Sequence, residues 1–201
     1  MTNTLPTFLE RALGSPPKAS LSIAELADEK TFGRSGFALS SPAFEQGEML
    51  DPSFTAGEED AVAPPMEWNA PPPGTQELVL IVEDADGPAD SDGKAQCHWL
   101  VWGLPGQKGK ILEGETPPRT GKNAKGNSEW LLPAPSADDE PHRYVFQLFA
   151  LDLPMVEMPG APREKIVSAM RGHVTAAALL VGKFAPVEED EELDWDDDDS
   201  V

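Results

Sequence analysis

The segment Leu78-Val79-Leu80-Ile81-Val82 constrains this chain more than any other. Five apolar residues stand in a row, with the turn block Pro71-Pro72-Pro73-Gly74 before them and the acids Glu83 and Asp84 after. A run that short predicts a strand buried on both faces, because a half-exposed strand would alternate apolar with polar residues. Residues 98–104, closed by Pro105-Gly106, and residues 144–151 predict two further strands. Residues 37–44 alternate only weakly, and Pro64-Pro65-Met66-Glu67-Trp68 leads into another apolar segment. With 21 prolines and 17 glycines in 201 residues, connections should be long and turn-rich, and long helices scarce.

Two stretches predict short helices. Leu5, Phe8, Leu9, Ala12 and Leu13 keep helical spacing until Gly14, Pro16 and Pro17 stop it. Such a helix either packs on its own domain or docks a partner or second subunit. Residues 162–170 carry proline near the first turn and Gly172 past the end. Residues 173–184 read both ways: the alanines permit a helix, and Val174, Leu180 and Val181 permit a strand. The expected organisation is an arm over 1–20, a mainly β domain over 21–185 and an acidic tail over 186–201.

Charge narrows the function. The formal net charge is −21, and residues 188–199 alone hold ten acids and no base. Without that stretch 26 acids still face 15 bases. Neither nonspecific nucleic-acid binding, which needs a basic footprint, nor association with an anionic membrane fits. No apolar run approaches the ~20 residues that span a bilayer. The N-terminus lacks the basic and apolar blocks of a signal peptide. One cysteine excludes an internal disulfide framework. A cytoplasmic protein is the simple expectation.

The candidate chemistry gathers at strand ends. The 78–82 run delivers Asp84 and Asp86 as it leaves the core, and two residues apart in extended backbone these face the same way. The next strand begins Cys97-His98-Trp99, and the third begins His142-Arg143-Tyr144. Glu83, Asp90 and Asp92 read as ordinary strand-end and loop solvation. A metal site is one alternative, although no His-x-His or His-Glu-x-x-His spacing occurs. Cys97 and His98 are adjacent in a strand and point to opposite faces, so they form no thiolate–imidazole pair. Cys97 reads as a small buried apolar group, and no nucleophile-elbow motif accompanies a serine. A polar turn and a small-ligand pocket remain.

In order, Pro64-Pro65-Met66-Glu67-Trp68, Asp84-Ala85-Asp86-Gly87-Pro88, His98-Trp99 and His142-Arg143-Tyr144-Val145-Phe146 resemble the phosphatidylethanolamine-binding protein family. The likeness is greatest to its bacterial, Raf-kinase-inhibitor-like branch and covers about residues 60–184. Gly172-His173-Val174 resembles that branch's closing segment, which points to a strand for 173–184. The resemblance implies an antiparallel β-sandwich with small peripheral helices and a rim pocket for phosphate-like anions. By position, Asp84, Asp86, Pro88, His98, His142 and Tyr144 match the family's pocket residues.

Elementary electrostatics divides the roles. At about 7 Å and an effective dielectric of about 20, each carboxylate repels a unit anion by roughly 2.4 kcal/mol. Asp84 and Asp86 are therefore expected to cap loop amides, orient His98 or His142, or meet a ligand's cationic end. The imidazoles, the Tyr144 hydroxyl and loop amides would hold the phosphate. A neighbouring carboxylate would raise a histidine's pKa, so anion binding should weaken as pH rises. His173 stands apart and reads as structural. Leu132 and Ser136 stand where the family usually carries glycine and proline, and a leucine there narrows a pocket.

The leading expectation is a non-enzymatic protein that binds a small anionic or zwitterionic ligand, without cofactor or metal, and modulates a protein partner. The alternatives are a kinase or hydrolase regulator with a vestigial pocket, motivated by arm and tail, and a metal-dependent enzyme. A homodimer is allowed by analogy alone.

Overall fold

The computed structural model describes residues 5–136 and 139–185; the acidic tail lies outside them. Among the described residues, eight strands form two antiparallel sheets. In chain order they are β1 (Leu39–Ser40), β2 (Met66–Trp68), β3 (Glu77–Asp84), β4 (Gln96–Pro105), β5 (Gly109–Ile111), β6 (Arg119–Thr120), β7 (His142–Leu151) and β8 (Val174–Phe184). The larger sheet runs β6-β4-β3-β7-β8 and the smaller β1-β2-β5. The chain is mainly β, as its patterning predicts, with three short α-helices among the described residues: α1 (Thr7–Leu13), α2 (Ser22–Leu26) and α3 (Arg163–Met170).

β3 sits at the centre of the larger sheet, and all eight of its residues are buried. Its unbroken apolar run follows from having a layer on each side. Leu78, Leu80 and Val82 face the smaller sheet, against Leu39, Met66, Trp68 and Ile111. Val79 and Ile81 face outward, onto Phe8, Leu9 and Leu13 of α1 and Ile166 and Met170 of α3. The amphipathic arm thus covers the outer face of its own sheet. Residues 174–184 resolve as strand β8, paired with β7 along its length except at a register shift that skips Thr175. The far edge of β8 is occupied: Gly33 and Leu50 donate to the carbonyls of Ala177 and Lys183, and Ala177 and Lys183 donate to those of Thr31 and Glu48. That pairing removes an open sheet edge.

One irregularity decides where the polar groups go. β3 pairs Val82 with Trp99 but Glu83 with Cys97, so His98 is an extra residue in β4. A bulge re-aims side chains. His98 and Trp99, though adjacent, both meet Trp130, at ring-centroid distances of 6.3 and 5.8 Å. Cys97 belongs to the opposite, outer core.

Candidate functional site

Asp84 ends β3 and holds the turn that follows. Its Oδ1 accepts from the backbone N–H of Asp86 and of Gly87, each at 2.9 Å, and its Oδ2 lies 2.8 Å from His142 Nδ1. A Cβ at residue 87 would stand 2.6 Å from Asp84 Oδ2, so glycine lets the carboxylate lie against the turn. His142 continues outward, with Nε2 3.6 Å from Asp139 Oδ2.

Asp86 takes the other direction. Its two oxygens accept a fork from Arg143, Nε at 2.7 Å and Nη2 at 2.6 Å, and Oδ2 also accepts the Arg143 backbone N–H at 2.9 Å. His142 and Arg143 are neighbours in β7 and face opposite sides of the sheet. Asp84 and Asp86 therefore serve opposite faces, contrary to the extended-backbone expectation, because the chain bends at 85–87. Burial alone would raise the Asp86 pKa, but the hydrogen bonds and charge of Arg143 outweigh it and hold the carboxyl below its ordinary value. Pro88 is exposed at the end of this turn.

His98 and Tyr144 meet on the inner face, with ring centroids 5.0 Å apart and edge to face. Tyr144 is paired with Asp84 across β3 and β7. Residues 131 and 98 clamp each other: Leu131 N–H donates to the His98 carbonyl at 2.8 Å, and His98 Nδ1 lies 2.7 Å from the Leu131 carbonyl. A carbonyl only accepts, so Nδ1 carries a proton and Nε2 of the neutral ring presents a lone pair. Among the described residues, neither His98 Nε2 nor the Tyr144 hydroxyl has a hydrogen-bond partner, and neither is sealed from solvent. Burial, then the charges of Asp84 and Asp86, push the Tyr144 pKa up, so the phenol stays an O–H donor.

His98 departs from the electrostatic expectation. Burial lowers its pKa by more than the Leu131 carbonyl and Asp84 raise it, and His142 adds to the lowering. As pH falls below about 6.5 the unfolded chain takes up this proton first, so stability is lost from there downward until His98 itself protonates. In His98→Asn the side-chain N–H can still donate to Leu131. The urea midpoint should fall less between pH 7 and 5 in this variant than in the parent; equal falls would exclude His98 as a source.

The acids read as solvation include the most buried one among the described residues. Glu83 has no exposed surface and accepts from Ser22 N–H and Oγ, Gln147 Nε2 and Arg163 Nη1, at 2.6 to 3.0 Å. Arg163 also reaches the Ala95 carbonyl and, at 3.0 Å, Asp90. This cluster lies on the outer face, joins α2 and α3 to β3, and touches neither His98 nor Tyr144. Strand-end position gave Glu83 a solvated reading; Arg163, 80 residues away, carries no local signal of the pair. Cys97 lies beside it, and burial, then the Glu83 charge, pushes its thiol up and leaves it unreactive.

Four of the six candidate residues thus converge from three strands: Asp84, His98, His142 and Tyr144, each no more than 5 % exposed. Asp86 turns to Arg143, and Pro88 stays at the surface. Leu132 lines a neighbouring cleft of about 490 Å³ with Trp99 and Trp130. His173 pairs with Asp152 at 2.9 Å, away from these groups. Among the described residues, no three or more His, Cys, Asp or Glu side chains are grouped to hold a metal.

A two-sheet antiparallel sandwich with acids, histidines and a tyrosine at the ends of its central strands defines the class. The family model described as phosphatidylethanolamine-binding protein matches residues 40–185. The chain belongs to that family. A UPF0098 protein of Chlamydia muridarum is 33% identical over 149 residues, covering 73% of this chain and 97% of the relative. The crystal structure of CT736, a phosphatidylethanolamine-binding protein homolog from Chlamydia trachomatis, superposes with a TM-score of 0.69 at 30% identity, covering 75% of this chain and 98% of that one. Escherichia coli YbcL, a member of the mammalian family by its description, shares the fold with a TM-score of 0.67 at 21% identity, over 75% of this chain and 99% of its own.

Proposed function

We propose that this protein binds a phosphate-like anion, free or as the head of a zwitterionic ligand, at the rim formed by His98, His142 and Tyr144. The observation that supports this reading is that His98 Nε2 and the Tyr144 hydroxyl, on two nearly buried side chains, have no hydrogen-bond partner among the described residues and keep access to solvent. Asp84, by contrast, is saturated by two amides and His142, so it positions the site rather than touching the anion. A lone pair at His98 Nε2 accepts and cannot donate to an oxyanion. The ligand must therefore bring a proton, as a P–OH or ammonium group, or the ring must take one up. The anion then binds together with one proton, and its affinity falls as pH rises. No covalent chemistry is assigned to the site.

The test is titration with inorganic phosphate and with phosphoethanolamine, followed by the ring NMR signals of His98 and His142. Both rings should shift, with weaker binding at pH 8 than at pH 6. Tyr144→Phe keeps the ring and removes one donor to a charged group, worth about 1.5–3 kcal/mol, so affinity should fall roughly ten- to hundredfold. Absence of any shift up to tens of millimolar ligand would sink the reading. The near-complete burial of these four residues favours the second reading, a protein regulator whose pocket is closed. That outcome would then stand.

A further inference from the structure

The arm is bound to the turn of the candidate site through one side chain and one backbone hydrogen bond. Arg143 is buried and gives all its donors to two places. One is the Asp86 carboxylate. The other is the end of the arm: Nη1 donates to the carbonyls of Leu13 and Ser15 and to Ser15 Oγ at 2.9, 2.8 and 3.0 Å, and Nη2 to the Pro16 carbonyl at 3.2 Å. Leu13 closes α1, where carbonyls lack intrahelical partners and a cation is favoured. The chain beyond stays on the same turn. Lys18 N–H donates to the Ala85 carbonyl at 2.7 Å, and Ala85 N–H donates to the Arg143 carbonyl at 2.8 Å. The Asp84–Pro88 turn is thus held from one side by the arm and Arg143 and from the other by His142.

The family match begins at residue 40, so the whole arm lies outside it. The arm's grip is nevertheless on a motif of the matched region, in the turn that also carries Asp84. We propose that the arm is an intramolecular brace for the ligand site, with Arg143 as its positioning residue. Docked, it fixes the Asp84–Pro88 turn and through Asp84 the orientation of His142. Lifted, it leaves Arg143 with carbonyl partners missing, and the turn loses its outer support. The consequence for ligand affinity rests on the binding reading above; the consequence for the turn does not.

Two variants of the full chain separate these. Leu9→Asp places a charge in a position without exposed surface and should undock α1, shown by tryptic cleavage at Arg11 and Lys18. Ser15→Ala removes one acceptor and leaves the arm seated, as a mild control. In Leu9→Asp, amide hydrogen exchange at residues 85–87 should rise at least tenfold and the His142 ring signals should move, both without ligand. Exchange in β8, on the far side of β7, should stay within twofold, which shows that the domain remains folded. Unchanged exchange at 85–87 with the arm cleaved would overturn the brace. If Leu9→Asp unfolds the domain, Arg143→Met, which keeps the apolar stem, provides the same readouts; protected amides at 85–87 there would equally overturn it. With inorganic phosphate as probe, affinity should fall at least fivefold in Leu9→Asp. If the parent binds no phosphate while the exchange result holds, the ligand reading fails and the brace stands.

Discussion

Arg163→Met should lower the unfolding free energy by about 3–5 kcal/mol, because it leaves the Glu83 charge buried without its counter-ion. Glu83 would keep Ser22 and Gln147 as hydrogen-bond donors, but both are neutral. The urea midpoint should drop with little change in slope. For a domain of this size the melting temperature should fall by roughly 6–20 °C. Glu83→Gln on top of Arg163→Met removes the stranded charge while its amide oxygen still accepts from Ser22 and Gln147. The double variant should be more stable than Arg163→Met alone. A single-variant loss under about 1 kcal/mol would mean that solvent reaches Glu83 and that the pair is an ordinary surface contact.

Asp84→Ala should be nearly as costly, at about 3–5 kcal/mol, because it orphans the Asp86 and Gly87 amides and His142 Nδ1 in a buried turn, each worth about 1–3 kcal/mol and not additive. Asp84→Asn separates shape from charge. Its amide oxygen can keep both backbone N–H groups, so the loss should be only about 1–2 kcal/mol. Its –NH₂, however, faces His142 Nδ1, which must then accept. Nitrogen chemical shifts of the His142 ring should therefore report Nδ1 protonated in the parent and bare in Asp84→Asn. A protonated Nδ1 in both would show that Asp84 does not set the tautomer. Equal stability of Asp84→Ala and the parent would remove Asp84 as the keystone of the turn.

The ends of the strands were legible at a distance, the directions of their side chains less so. His98, His142 and Tyr144 stand out because they lie near the starts of β4 and β7, and antiparallel pairing with β3 brings those ends to the end of β3. Alternation places Cys97 opposite His98, and the two do occupy opposite faces. The same rule fails for Asp84 and Asp86, because it holds only while the chain stays extended and the chain bends after Asp84. Arg143 was visible as the middle letter of a motif. Its purpose was not, since its partners Leu13, Ser15 and Pro16 are more than 120 residues away.

By itself the sequence determined the β character of this protein and the position of its central strand. Apolar runs and turn residues act locally, and a five-residue apolar run has no stable exposed state. It also set the acidic charge, which no fold can change. Tertiary structure decided which carboxylates are used and how. Glu83, Asp84 and Asp86 lie within four residues, yet one is buried against Arg163, one caps a turn and holds His142, and one grips Arg143 and the arm. A carboxylate's role depends on the donors that reach it. Those donors come from elements that meet only when the arm, the sheet and α3 pack together.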